Sequence, residues 1–161
     1  MKASCSSWKN IPFSEGVPIA YESSFSLQEF VRIENGLIPR GMEDKWLIFH
    51  DEPYVFFHRS WTGKPVYRLK IERVETEYRV TEALWANEFA NVNDTGLLSE
   101  NPGYQIQLLD FLVSNFLLGK RKPFPVPAWL DDDIPGAIQH NVSGSGFPET
   151  KWPTKPWWKI W

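Results

Sequence analysis

Cysteine is almost missing from this chain: Cys5 stands alone among 161 residues. No intramolecular disulfide can form, and no cysteine-built zinc cluster exists. A basic excess is missing too, since Lys and Arg number 17 against 20 Asp and Glu, for a net charge of −3. Neutralising a phosphate backbone needs strong positive charge, so general nucleic-acid binding is not expected. No apolar run reaches the roughly 20 residues of a membrane helix. The opening residues, Met1–Asn10, also lack a stretch of signal-peptide type. The cytoplasm is the expected address. Histidine is scarce as well, with only His50, His58 and His140, and no carboxylate stands near them at ligand spacing. No metal or cofactor is expected. No Ser/His/Asp or Cys/His order is recognisable, and Cys5 lies where no base could be held against it.

Aromatic residues are abundant instead. They make up 16% of the chain and include nine Trp, while apolar residues reach 42% and charged ones 23%, the profile of a globular protein. One domain over residues 1–161 fits the length. Residues 1–23 read as an irregular lead-in. Ser26-Leu27-Gln28-Glu29 is a capping box, with Phe25 and Phe30 at the staple positions and Asn35-Gly36 as the stop, so a short helix is expected there.

From residue 45 to 86 the pattern changes to period two and predicts a four-stranded antiparallel meander. A three-residue turn, Asp51-Glu52-Pro53, would pair His50 with Tyr54, Ile48 with Phe56 and Trp46 with His58. A second turn at Thr62-Gly63 would pair Trp61 with Lys64 and Arg59 with Val66. One face then collects Trp46, Ile48, Phe56, His58, Tyr67, Leu69 and Ile71, and the other Phe49, Phe57, Arg59, Val66, Arg68 and Lys70. Asn101-Pro102 resembles an N-cap followed by proline. The helix after it, 104–118, carries Ile106, Leu109, Leu112, Val113, Phe116 and Leu117 at helical spacing and ends at Gly119. The fold expected is α+β: the meander, with this long amphipathic helix packed on its first face. A short N-terminal helix and a Pro- and Trp-rich wrap over 120–161 complete it.

The residues that suggest chemistry cluster at Phe57–Lys64. A cation, hydroxyls and an aromatic ring fall within eight positions. His58, Arg59, Trp61, Thr62, Arg68 and Lys70 are the candidate ligand-binding residues, able to hold a phosphate and stack a ring. The plainer alternative is a half-exposed face whose long cations shield aromatic rings. Asp131-Asp132-Asp133 suits a hard cation or, more commonly, an acidic turn or helix cap. Ser143-Gly144-Ser145-Gly146 offers amides to an anion but lacks a phosphate-loop lysine. The tail interleaves Lys151, Lys155 and Lys159 with Trp152, Trp157, Trp158 and Trp161, which suits either a partner or a wrap over the domain.

Gly41-Met42-Glu43-Asp44-Lys45-Trp46, running on through Phe56-Phe57-His58-Arg59-Ser60-Trp61-Thr62-Gly63, resembles a bacterial family of uncharacterised proteins. Gln139-His140-Asn141-Val142-Ser143-Gly144-Ser145-Gly146-Phe147-Pro148-Glu149 is similar to its later part. That family is associated with ADP-ribosylglycohydrolase-like and macro-domain proteins, so the resemblance implies a place in ADP-ribose or NAD biology. The paired-aspartate motifs of the glycohydrolases are absent, and no catalytic residue carries over. Three expectations follow. The first is a non-enzymatic binding module for a protein partner or an ADP-ribose-like ligand, in which Arg59→Ala would abolish binding and spare the fold. The second is an enzyme on a nucleotide or ADP-ribosyl substrate, using His58, Arg59 and the 143–146 loop. The third is an immunity or antitoxin-like protein that blocks a partner's active site.

Overall fold

The computed structural model describes residues 2–41, 44–86 and 102–125. The expected features at Asn101, Asp131–Asp133, His140 and Ser143–Gly146, and the C-terminal wrap, lie outside the described residues. The fold is α+β. An antiparallel sheet of six strands carries helices on one face.

Two short strands, β1 (Gly16–Pro18) and β2 (Ser24–Phe25), precede helix α1 (Leu27–Asn35). The meander follows as β3 (Trp46–Asp51), β4 (Tyr54–Arg59), β5 (Pro65–Val74) and β6 (Glu77–Ala86). Its order is β6-β5-β4-β3, and β1 and β2 both pair with β6, a pairing that the lead-in gave no sign of. Helix α2 (Pro102–Phe111) runs on into a π-helical stretch, Leu112–Leu117.

The capping box forms as expected. Ser26 Oγ accepts from the Glu29 amide at 3.2 Å, and the Glu29 carboxylate accepts from the Ser26 amide at 3.0 Å. Phe30 and Ile33 point into the core. Gly36 ends the helix at φ 66° and lets the chain turn onto the edge of β3, where Leu37 and Ile48 exchange both backbone hydrogen bonds at 2.8 and 3.0 Å. A β-carbon on Gly36 would stand 2.2 Å from the Ile48 carbonyl oxygen.

The register of β4 differs from the expected one. The β3–β4 connection holds two residues, Glu52 and Pro53, rather than three, so Asp51 pairs with Tyr54, Ile48 with Phe57, Leu47 with His58 and Trp46 with Arg59. Because side chains alternate, one residue fewer turns the whole of β4 over. An irregularity between Phe57 and His58 then takes up the difference, so Phe57 pairs with Tyr67 and His58 with Pro65. The two displacements cancel, and β5 faces the way the sequence implies. The front face therefore carries Trp46, Ile48, Val55, Phe57, Arg59, Tyr67, Leu69 and Ile71. Leu47, Phe49, Phe56, His58, Arg68 and Lys70 stand on the rear.

The front face meets the helices. Trp46, Ile48, Val55, Phe57, Tyr67 and Leu69 join Leu108, Leu109, Leu112 and Phe116 in one apolar cluster. The Tyr67 hydroxyl donates to the side-chain oxygen of buried Gln105, which satisfies that polar tip, whereas the buried indole N–H of Trp85 in the same layer has no partner among the described residues. The 104–118 helix is less amphipathic than expected. From Phe111 to Leu118 every residue is buried, because α1 on one side and Phe124 on the other enclose it. Buried Asn115 accepts from the Lys122 amide and donates to its carbonyl, both at 3.0 Å, which fixes the returning chain.

The β5–β6 connection forces Glu75 to φ 59°. That conformation costs an L-residue roughly 1–2 kcal/mol, and glycine adopts it freely at a smaller entropic cost. Glu75→Gly is expected to raise the melting temperature by about 2 °C, read by a thermal melt.

Candidate functional site

The rear face of the sheet is covered by the chain's own first residues. The lead-in has no regular structure of its own over residues 2–13, but it is fastened by the Lys2–Glu34 ion pair at 3.4 Å and by four hydrogen bonds. The Ala3 amide donates to the Asn35 carbonyl at 2.8 Å, and the Trp8 indole N–H donates to the Ser60 carbonyl at 2.8 Å. The Ile11 amide donates to the Gly63 carbonyl at 2.7 Å, and His58 Nε2–H donates to the Ile11 carbonyl at 2.9 Å. Ala3, Leu47 and Phe49 form a second apolar cluster with Trp8, Ile38 and Phe56 packed on it. Phe13 reaches Phe56 at 6.5 Å between ring centroids.

The six candidate residues fall into three groups. His58, Arg68 and Lys70 share the rear face. His58 is 1% exposed, between Phe49 and Phe56. Burial holds its imidazole below the ordinary value, against the opposing pull of its bond to Ile11. The Arg68 guanidinium sits 4.3 Å from the Tyr54 ring and 5.2 Å from the Phe13 ring, and donates to Glu82 at 2.8 Å. Lys70 is 3.2 Å from the Glu72 carboxylate.

Arg59 faces the other way. The sequence placed it with Arg68 and Lys70, but the shortened turn moves it to the front, where its guanidinium lies 5.0 Å from the Trp46 ring. Burial brings the Arg59 pKa down to about 10, with Tyr67 acting in the opposite sense. It remains a cation at neutral pH. His58 and Arg59, expected to work together, are separated by the thickness of the sheet.

Trp61 and Thr62 make the third group, at the tip of the Ser60–Lys64 turn. Gly63 adopts φ 74° there and packs against Asn10, where a β-carbon would come within 3.1 Å of the Asn10 Cα. Thr62 Oγ1 accepts from the Lys64 amide at 3.2 Å, and Ser60 Oγ donates to the Asp44 carbonyl at 2.6 Å. Trp61 is 51% exposed, and the Lys45 ammonium lies 3.8 Å from the centre of its ring. Sequence reasoning did not single out Lys45. It reaches the turn because the Ser60 amide donates to the Lys45 carbonyl, and because Arg40 clamps the preceding Asp44. The side-chain and backbone hydrogen bonds from Arg40 hold the Asp44 carboxyl below the usual range, against the effect of its burial. The spacing of Arg40 and Asp44 was the one local signal of this clamp.

The corner offers a half-exposed indole, an ammonium held on its ring and a hydroxyl beside it. Such a group suits stacking and insertion. Two open hollows lie elsewhere. One of about 500 Å³ is lined by Glu22, Ser23, Ser24, Glu77, Arg79 and Val80, and one of about 270 Å³ by Gln28, Glu29, Arg32, Leu118 and Lys120. Neither has an aromatic ring in its wall. Among the described residues no group of three or more His, Cys, Asp or Glu is placed to hold a metal ion. Among them, too, no helix is long and apolar enough to cross a membrane. No protein-family model, curated protein or solved structure matches the chain.

Proposed function

We propose that this chain is a non-enzymatic binding module that docks a protein partner through the Ser60–Lys64 corner. The observation that carries this reading is Trp61. Trp46 and Trp85 are buried in the core, yet the Trp61 ring stays 51% exposed. Hiding such a ring is favourable, and tryptophan is the residue type most enriched among the contacts that dominate binding energy. The Lys45 ammonium over one face of the ring adds positive charge to a molecule whose overall charge is −3.

The corner projects from the sheet, whereas small ligands are held in concave sites. A projecting ring fits a cleft on another protein. The immunity-type role is this same reading with an enzyme as the partner and its active site as the cleft. The resemblance to a bacterial family linked to ADP-ribose biology supports a runner-up ligand, an ADP-ribose or NAD-like molecule that stacks on Trp61 and places phosphate near Lys45. The proposed setting is the cytoplasm.

Trp61→Ala tests the corner. Its melting temperature should stay within about 2 °C of the wild type, as for other surface changes. Pull-downs from extracts of the native host, followed by titration of the captured protein, should show affinity at least tenfold weaker than for the wild type. Thermal-shift measurements with ADP-ribose and NAD run in parallel. A shift that the variant loses would move the site to the small ligand, and equal affinity of both proteins for every captured partner would overturn the corner.

A further inference from the structure

The segment over the rear face is held by a histidine whose other ring nitrogen has no partner for a second proton. His58 Nε2–H donates to the Ile11 carbonyl, so the ring is the neutral tautomer with an open lone pair on Nδ1. That Nδ1 is buried and has no hydrogen-bond partner among the described residues. A proton added there would bring a charge and an unmade hydrogen bond into a pocket walled by Phe49 and Phe56. Both costs exist only while residues 2–13 lie in place. They vanish once that segment lifts and water reaches the ring.

The charged groups on the surrounding elements do not relieve this. On β3 the rear side chains are Leu47 and Phe49, with Asp51 at the far end of the strand. On β4 they are Phe56 and Tyr54. On β5 they are Arg68, engaged with Glu82 of β6, and Lys70, engaged with Glu72. The covering segment brings Lys9 and Lys2, the latter paired with Glu34 of α1 at 3.4 Å, and the turn brings Lys64. None of them bonds to His58, whose hydrogen bond goes to Ile11.

We propose that residues 2–13 form an acid-released strap, closed at neutral pH by the His58–Ile11 hydrogen bond and freed when His58 takes up a second proton. The sign follows from linkage. In the released form His58 has its ordinary pKa near 6.5, and in the closed form burial holds it lower. The closed form therefore binds fewer protons, and its stability is complete above about pH 6.5 and lost as pH falls towards the closed-form value. Each pH unit in that window favours release by up to about tenfold. The strap also supports the turn, through Trp8 to Ser60 and Ile11 to Gly63. Its release removes the rear support of the Trp61 corner, so acid would weaken binding there, and this consequence alone rests on the binding reading above.

Hydrogen–deuterium exchange, corrected for the intrinsic pH dependence of amide exchange, tests the strap with no ligand present. Between pH 7.5 and 5.0 the strap amides, Ala3 and Ile11 among them, should open at least tenfold more often while β3–β6 keep their protection. In His58→Phe, which cannot titrate and keeps an aromatic ring in place, strap opening should be the same at both values. His50 remains in that variant. It is also held below its ordinary value, by burial and by Lys2 of the strap, against the pull of Glu34, Glu52 and Asp51, and its ring lies on the front face against Phe30. An acid response that survives in His58→Phe would overturn the proposal, and so would sheet and strap loosening together or an unchanged strap in the wild type. If His58→Phe does not fold, nuclear magnetic resonance decides: the Trp8 indole N–H signal of the wild type should move with the His58 ring titration, and movement without it would overturn the strap. A chain whose strap responds but whose Trp61 corner binds nothing would refute the binding reading alone.

Discussion

Gly36→Ala is expected to lower the melting temperature by roughly 10 °C, the largest effect of any single methyl group in the described fold. Two costs combine. The position has φ 66°, which an L-residue adopts at about 1–2 kcal/mol. The new β-carbon would also sit 2.2 Å from the Ile48 carbonyl oxygen, a backbone atom that cannot swing aside. Relief requires separating Leu37 from Ile48, which gives up two backbone hydrogen bonds worth about 1 kcal/mol each. The sum is about 3–4 kcal/mol, and a chain of this length loses about 2–4 °C per kcal/mol. Circular dichroism melts measure it directly. A variant that melts with the wild type would show that the 36–38 segment contributes little to the edge of β3.

Arg59→Ala comes next, and its expected outcome reverses the one implied by sequence. If Arg59 stood on an open ligand face, its removal would spare the fold. On the front face its stem and guanidinium fill space beside Trp46 and Tyr67, so truncation leaves a void and ends the contact with the Trp46 ring. A loss of about 2–3 kcal/mol is expected, seen as a melting point lower by about 6–8 °C, and binding at the corner should survive at temperatures where the variant is folded. Trp61→Ala should show the opposite pattern, with the fold intact and binding lost. A double dissociation between neighbouring positions separates structure from recognition more sharply than either variant alone.

The reason Arg59 was misplaced lies in β4 itself. Val55-Phe56-Phe57-His58 is apolar or aromatic at odd and even positions alike, so alternation gave no choice between its two faces. Only the turn length decided it, and Asp51 reads equally well as the last strand residue or the first turn residue. β5 was legible because Tyr67, Leu69 and Ile71 alternate with Arg68 and Lys70. The α1 boundaries were legible because a capping box is a contact between residues three apart. The cover over the rear face was not, since residues 2–13 have no periodicity and are held by bonds to positions more than 30 residues away. The same distance hides why Gly36 must be glycine. Of the candidate site, the turn with Trp61 and Thr62 was readable from its own residues. Lys45, its companion, became visible only once the sheet brought residues 45 and 60 together.

The short connection at Glu52-Pro53 and the irregularity between Phe57 and His58 offset each other. One consequence concerns how this chain can change length. A residue inserted between Glu52 and Pro53 would lengthen the loop and leave Asp51 opposite Tyr54, since hairpins close over three residues as well as two. A residue inserted within β4 itself would instead reverse the side chains beyond it, sending His58 towards the helices and Arg59 under the strap. Changes of length should therefore be tolerated at the turn and selected against inside the strand.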